Sequence, residues 1–287
     1  LGGYGTPLIE PERPTVASLL KQAGYRTAAV GKWHVGLDWQ RTDGGTEPLV
    51  DFGNPAWSLD GFDIDHSKPI GNGPTELGFD SYFGIAGSLD MPPYCFIEDD
   101  HTVGIPDREK EVYYNQQRKG LQTPDWADDQ VDITFAAKAV EVIESSAAAN
   151  REASEPTPFF LYLTPASPHR PCDVRPDFVV GASDAGDRGD MVVLFDWVVG
   201  QVLDALDRTG QADNTLILVT SDNGGRLTCA DGETYGHPVN GSLRGQKADI
   251  WDGGHREPLV ARWPGKIAPG TQSDHISGFQ DMLPTFA

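Results

Sequence analysis

Cysteine is scarce in this chain: Cys95, Cys172 and Cys229 stand far apart, with no CxxC or Cys/His spacing. Neither a zinc site nor a disulfide framework is indicated. No apolar run approaches the roughly 18 residues of a membrane-spanning helix. Low-complexity tracts and internal repeats are also absent, and 38% of the 287 residues are hydrophobic, enough to build a packed core. Basic residues are in deficit, 22 Lys and Arg against 43 Asp and Glu, for a formal net charge of −21. A field of that sign repels phosphate backbones and anionic membrane surfaces, which excludes nucleic acid as an extended partner. Salt screens the field within about 10 Å at 0.1 M, so a small anion can still bind where the charge reverses locally. The opening LGGYGTPLIEP has neither an initiator methionine nor a signal peptide and reads as the interior of a longer chain.

What is present is an alternation of helical and strand patterns. After Pro14, the residues Val16, Leu19, Leu20 and Ala23 follow helical spacing, and Gly24 is placed to stop that helix. TAAV (27–30) reads as a short buried strand running into GKWHVG. From about Gly36 to Thr123 the pattern breaks into Gly, Pro, Asp and Asn clusters. The interleaved Trp39, Phe52, Trp57, Phe62, Phe79, Tyr82, Phe83, Tyr94 and Phe96 predict an ordered insertion that walls a site. Periodicity resumes on a helix carrying Val131, Phe135, Val142 and Ile143, followed by the strand FFLYL (159–163). A second helix carries Met191, Leu194, Phe195, Val198, Val202 and Leu206; TLILVT (215–220) and LVAR (259–262) are further strands. Strands apolar at every position, alternating with helices, predict an α/β fold whose parallel or mixed sheet is covered on both faces. Ligands gather at the carboxyl ends of such strands, where GKWH, SPHRP and SDNGG stand.

Asp222 and Asn223 follow TLILVT directly, with Gly224 and Gly225 behind them. A neighbouring carboxylate and amide offer two hard oxygen donors of the kind Ca²⁺ or Mg²⁺ takes; Asp-Asn-Gly-Gly also suits an ordinary turn. Lys32 and His34 occupy alternate positions, so on an extended segment both point to one side. A cation beside a titratable imidazole suits a tetrahedral anion and a proton transfer, although singly each residue also suits a solvated loop. His169 in SPHRP is flanked by Pro168 and Pro171, which stiffen its backbone; it is a candidate general acid or a surface turn histidine. The stretch 241–267 gathers Arg244, Lys247, His255 and Arg256, a local reversal of the chain's acidity. Arg244 and Lys247 can hold an oxyanion through charge-assisted hydrogen bonds. Arg256, near Asp252 and Glu257, suits a structural ion pair. His237, in YGHPVNG, lines a pocket or ends a loop.

In this order the blocks resemble the sulfatase family of the alkaline-phosphatase superfamily. AGYRTAAVGKWHVG is similar to the second sulfatase signature, LYLTPASPHRP to the strand-plus-histidine block, LVTSDNGG to the metal block, and LRGQKADIWDGGHREPLVARWPGKI to the lysine and Gly-Gly block. The resemblance implies a mixed, mostly parallel sheet flanked by helices on both faces, alkaline-phosphatase-like, with a long loop-rich insertion at 36–123. It implies hydrolysis of sulfate esters by metal-assisted attack of a formylglycine acting as its hydrated gem-diol. Asp222 and Asn223 are then two of the four usual protein ligands of a Ca²⁺, with Mg²⁺ the second choice. Lys32 and Lys247 bind sulfate oxygens, and Lys247 also lies near the bridging ester oxygen. His34 stands beside the nucleophile and helps the covalent intermediate collapse, His169 protonates the leaving alcohol, and Arg244 and His237 are assigned to substrate binding.

The departures shape the domain expectation. No cysteine or serine begins the Cys/Ser-x-Pro/Ala-x-Arg motif that yields formylglycine, and the first strand with its pair of metal-binding aspartates is missing. Residues 1–287 are therefore expected to be a partial catalytic domain, truncated before Leu1 and before a smaller C-terminal subdomain, and inactive alone. WDGG stands where the family commonly has Glu-Gly-Gly. The expected partners are a small-molecule or carbohydrate sulfate ester and a formylglycine-generating or equivalent maturation enzyme, with no nucleic acid and no membrane span. The family implies a periplasmic or secreted location. Two rival readings stay open: a phosphodiesterase or phosphonate monoester hydrolase of the same superfamily, and a non-catalytic module that binds sulfated glycans.

Overall fold

A computed structural model describes residues 2–45, 60–113, 117–226 and 234–287. Phe52, Trp57 and Cys229 of the sequence reading lie outside them. Helix α1 (Val16–Gln22) leads into β1 (Arg26–Lys32). Strands β2 (Ser81–Ile85), β3 (Ile97–Glu98) and β4 (His101–Thr102) follow, then the short pair β5 (Arg108–Glu109) and β6 (Leu121–Gln122). The second half runs α2 (Val131–Glu152), β7 (Phe159–Thr164), α3 (Gly186–Thr209), β8 (Ile217–Val219), α4 (Asp252–His255), β9 (Val260–Arg262) and α5 (Met282–Phe286).

The start of α1 is held by a reciprocal cap. The Ser18 N–H donates to Thr15 Oγ1 at 3.0 Å and the Thr15 N–H to Ser18 Oγ at 2.9 Å, satisfying two of the donors a helix start leaves open. Thr15 Oγ1 also donates to the Leu77 carbonyl at 2.6 Å, which ties the helix to the segment entering β2.

Five strands form one sheet in the order β4-β3-β2-β1-β7. β1 is parallel to both β2 and β7, with Ala29 opposite Tyr82 and Tyr162; β3 and β4 add antiparallel. Alternation along β1 sends its side chains to two cores. Ala29 packs with Ala17 of α1, Tyr82 and Ile97, and Phe160 lies against the same cluster. Val30 packs with Ile85 and, from α2, Val131 and Phe135, with Leu161 and Leu163 against them. Helices thus cover both faces, as the apolar strand runs require.

Two expectations change. The segment 36–123 is not only an insertion, because Ser81–Ile85 is a parallel strand of the central sheet. Its pattern is broken by Gly84, where a Cβ would sit 1.8 Å from the Gly31 carbonyl oxygen. The close strand approach demands glycine, and that glycine hides the strand from pattern reading. TLILVT and LVAR were expected to be buried strands of the main sheet. Instead β8 and β9 form an antiparallel pair of their own, and Val260 is 61% exposed. Among the described residues no ladder joins this pair to β7, although Ile217 shares a cluster with Phe159, Leu161, Ile143 and Leu206.

Candidate active site

Lys32 ends β1 opposite Ile85, and Thr164 Oγ1 of β7 donates to its carbonyl at 2.8 Å. Burial pushes the Lys32 ammonium's pKa down, and the charge of Lys247 pushes it further, while Asp222 and Asp90 act the other way. Four charged groups from distant segments therefore share one electrostatic neighbourhood. The strand stops there: the Trp33 and His34 N–H groups donate to the Ile85 and Ala86 carbonyls, and His34 adopts a φ of +55°. The strand-alternation argument for Lys32 and His34 consequently fails, because a left-handed residue is not extended backbone.

His169 lies in the loop after β7. Asp132, in the first turn of α2 and 3% exposed, accepts the Ala166 N–H at 2.7 Å and the Ser167 N–H at 2.8 Å, one on each carboxylate oxygen. The Asp132 pKa is raised by burial, against the pull of those hydrogen bonds. Beyond this anchor, His169 Nδ1 is 2.8 Å from the Arg170 carbonyl and 2.9 Å from Ser88 Oγ. A carbonyl only accepts, so Nδ1 carries the proton and Nε2 holds the lone pair in the neutral ring. Burial, then Lys32, push the His169 pKa down to about 3, with Lys247 and Arg170 adding to the shift and the bond to the Arg170 carbonyl opposing it. At neutral pH that shift keeps the ring uncharged.

Asp222 and Asn223 occupy the bend after β8, with Asn223 Nδ2 donating to Asp222 Oδ1 at 2.8 Å. The next residue brings two loops together. Gly224 donates to the Gly254 carbonyl at 2.9 Å, and a Cβ on Gly224 would lie 1.9 Å from the Gly253 oxygen. Asn240 fastens the junction, accepting the Gly225 N–H at 2.9 Å and donating to the Gly225 and Gly245 carbonyls at 2.9 and 3.1 Å. The Lys247 N–H then donates to the Gly225 carbonyl at 3.3 Å. By this backbone-on-backbone contact Lys247 reaches the region of Asp222 and Lys32. Glu257 is drawn in as well: burial, then the Asp222 charge, raise its pKa, and its Oε1 is buried without a hydrogen-bond partner.

Hard oxygen donors suit Ca²⁺, but a Ca²⁺ shell needs about six to eight of them. Among the described residues no group of three or more His, Cys, Asp or Glu side chains could hold a metal. Asp222 and Asn223 are donors of the right kind for such an ion, but two side chains are fewer than its shell needs.

The structure brings Lys32, His169, Lys247 and Asp222 together, with Asn223 hydrogen-bonded to Asp222. It leaves Arg244 and His237 on the surface. Arg244 stacks over Trp251 at 3.7 Å from the ring centroid. Arg256 makes the i,i+4 ion pair with Asp252 at 3.5 Å that its neighbours in sequence suggested. Sequence reasoning missed Asp90, Ser88, Arg170, Asp132 and Asn240. Arg170 adjoins His169 and could have been flagged by that position; Ser88 and Asp90 lay in the segment read as an insertion, and nothing local singled them out.

The sequence profile of the Sulfatase family matches residues 2–287. The N-acetylgalactosamine-6-O-sulfatase of Bacteroides thetaiotaomicron is 29% identical, over 94% of this chain and 55% of its own length. The steryl-sulfatase of Rattus norvegicus is 31% identical, over 97% of this chain and 52% of its own. Among solved structures, one from work on the metabolism of multiple glycosaminoglycans by Bacteroides thetaiotaomicron aligns with a TM-score of 0.72 at 26% identity. That alignment covers 93% of this chain and 58% of the solved one. The chain thus spans about half the length of the curated relatives it matches.

Proposed function

Since this chain belongs to the sulfatase family, we propose that the protein containing it hydrolyses sulfate esters, with Lys32, Lys247 and His169 acting on the ester and Asp222 and Asn223 on a divalent metal. The observation that carries this reading is the meeting of Lys32 and Lys247 beside Asp222 and His169, at a cost to the Lys32 charge. Like charges crowded in a half-buried site are repelled until an anion joins them. A sulfate ester supplies that anion.

In this reading the two ammonium groups hold the sulfuryl oxygens, and Lys247 also faces the bridging oxygen whose negative charge grows as the ester bond breaks. His169, kept in one orientation by its Nδ1–H bond to the Arg170 carbonyl, gains a proton at Nε2 once the anion is bound and delivers it to the departing alcohol oxygen. His34 stands beside the attacking group. A Ca²⁺ held in part by Asp222 and Asn223 would offset charge on the sulfuryl oxygens, and a hydrated formylglycine would supply the attacking oxygen.

The remaining metal ligands and the nucleophile are assigned to a further strand and its following turn, making residues 1–287 a partial catalytic domain that is inactive alone. A place for that strand is the side of β7 that has no strand partner among the described residues, where β8 shares its helix-covered cluster without a ladder to it. The reading carries with it a maturation enzyme for the formylglycine and a periplasmic or secreted location. No helix among the described residues is long and apolar enough to cross a membrane.

The test is turnover of p-nitrophenyl sulfate and p-nitrophenyl phosphate by the full-length protein. Faster sulfate turnover, abolished by a chelator and restored by Ca²⁺, is expected. Preference for the phosphate would shift the assignment to a phosphoester or phosphonate hydrolase of the same superfamily.

A further inference from the structure

The two relatives named above act, by their names, on an amino-sugar sulfate and on steryl sulfates, so ancestry leaves the alcohol half of the substrate open. One pair of side chains beside His169 bears on that half. Arg170 directly follows His169, and its Nε donates to Asp90 Oδ2 at 3.1 Å. Asp90 is 1% exposed, whereas the Arg170 side chain is 25% exposed. The guanidinium therefore stands between a buried carboxylate and open space. It is also inside the site, since the charges of Arg170 and Asp90 act on His169 and Lys32 respectively.

The pairing is not the one that stability alone would favour. A guanidinium and a carboxylate can form two parallel bonds, yet here only Nε is used and Asp90 Oδ1 is buried without a hydrogen-bond partner. Among the described residues the Arg170 Nη1 and Nη2 donors make no hydrogen bond. Asp90 offsets part of the Arg170 charge, and Arg118 lies near enough to feel both groups, so the carboxylate serves to orient Arg170 rather than to neutralise the neighbourhood. What the pair offers is a fixed set of N–H donors next to His169.

Resting on the sulfate-ester reading, we propose that Arg170 is a specificity-determining residue that donates to a ring hydroxyl of a carbohydrate leaving group, with Asp90 positioning it. A hydroxyl oxygen accepts from Nη1 or Nη2 in the bound state. A sterol offers only hydrocarbon there and would strip water from those donors without replacing it, the situation in which a polar site rejects an apolar analogue. The sulfate-holding lysines are common to both substrates, so discrimination falls on this pair.

The experiment uses the full-length protein, a hexosamine 6-sulfate, its monodeoxy analogues with each ring hydroxyl removed in turn, and oestrone sulfate. The wild type is expected to prefer the sugar sulfate to oestrone sulfate, and to lose about 100-fold in kcat/KM on one deoxy analogue. Arg170→Ala should lose a similar factor on the parent sugar and no more than about threefold further on that same analogue, as two changes that remove one contact do. Arg170→Lys, which keeps the charge and guards against a folding defect, should show the same pattern more weakly, and Asp90→Asn should raise KM more than it lowers kcat. Equal losses on every substrate, or additive losses on every deoxy analogue, would overturn the proposal, as would faster turnover of oestrone sulfate. Absence of turnover on any sulfate ester would instead remove the underlying reading, and the proposal with it.

Discussion

Lys32 shows at the scale of one side chain what the site requires. Burial and a second ammonium both work against its charge, and only the carboxylates of Asp222 and Asp90 support it. Replacing Lys32 by Ala in the full-length protein is expected to lower kcat about 100-fold or more, the usual scale for an electrostatic donor, in steady-state assays on p-nitrophenyl sulfate. His169 makes a subtler case. With its pKa pushed down to about 3 in the free site, it produces no limb near pH 6.5 in the kcat/KM profile; the bound anion raises the value in the complex, so a limb belonging to His169 is looked for in kcat. His169→Ala should cost about 100-fold on alkyl sulfates and far less on p-nitrophenyl sulfate, whose leaving group departs without a proton. Equal losses on both would deny it the role of acid. Both residues were legible in the sequence, because each stands at the end of a strongly apolar strand inside a distinctive block. Arg244 and His237 were read from the same kind of signal, and the structure places both at the surface, with Arg244 stacked on Trp251.

The elements decide how these side chains are held. Asp132 joins α2 to the loop after β7 by two hydrogen bonds from backbone N–H groups. Asp132→Asn puts an amide NH₂ against one of those donors. A destabilisation of about 1 to 3 kcal/mol is expected, the cost of leaving a buried partner unmet, measured by urea denaturation. The activity of the same variant should fall with the position of His169, and an unchanged stability would show that the loop is held by something else. At this scale α1, α2, α3, β1 and β7 were visible in the sequence because each has one clean period. β2 was not, since Gly84 interrupts the apolar run at the point where it must approach Gly31. The ribbon of β8 and β9 was read as strand correctly, but among the described residues it has no ladder to the main sheet, because apolar composition marks a strand without naming its partner.

Across the whole molecule, the core under β1 joins distant parts of the chain through a buried histidine. His66 Nε2 is 3.0 Å from the Tyr4 hydroxyl, and its ring packs 5.7 Å from Trp39 and 5.9 Å from Tyr4. Burial pushes the His66 pKa down to about 4, with Asp65 opposing. The unfolded chain takes up a proton near pH 6.5, while the folded one refuses it until about pH 4. Stability from this group is thus complete above pH 6.5 and is lost progressively as the pH falls toward 4. Between pH 7.5 and 5 the loss should be about 2 kcal/mol. His66→Gln should flatten that part of the pH dependence, and an identical slope in the variant would rule the histidine out as its source.

By itself the sequence determined the family, the α/β class, and the identity and order of the charged groups at the strand ends, since all of these are carried by residue types at short spacing. The tertiary structure alone decided which of those groups meet. Lys32 and Lys247, more than two hundred positions apart, are brought together because Gly224 allows the Asp222 loop to pack against Gly253 and Gly254. Asp90 and Arg170 meet because β2 and β7 flank the same strand. Encounters of this kind depend on backbone clearance and on strand partners, which no local pattern encodes.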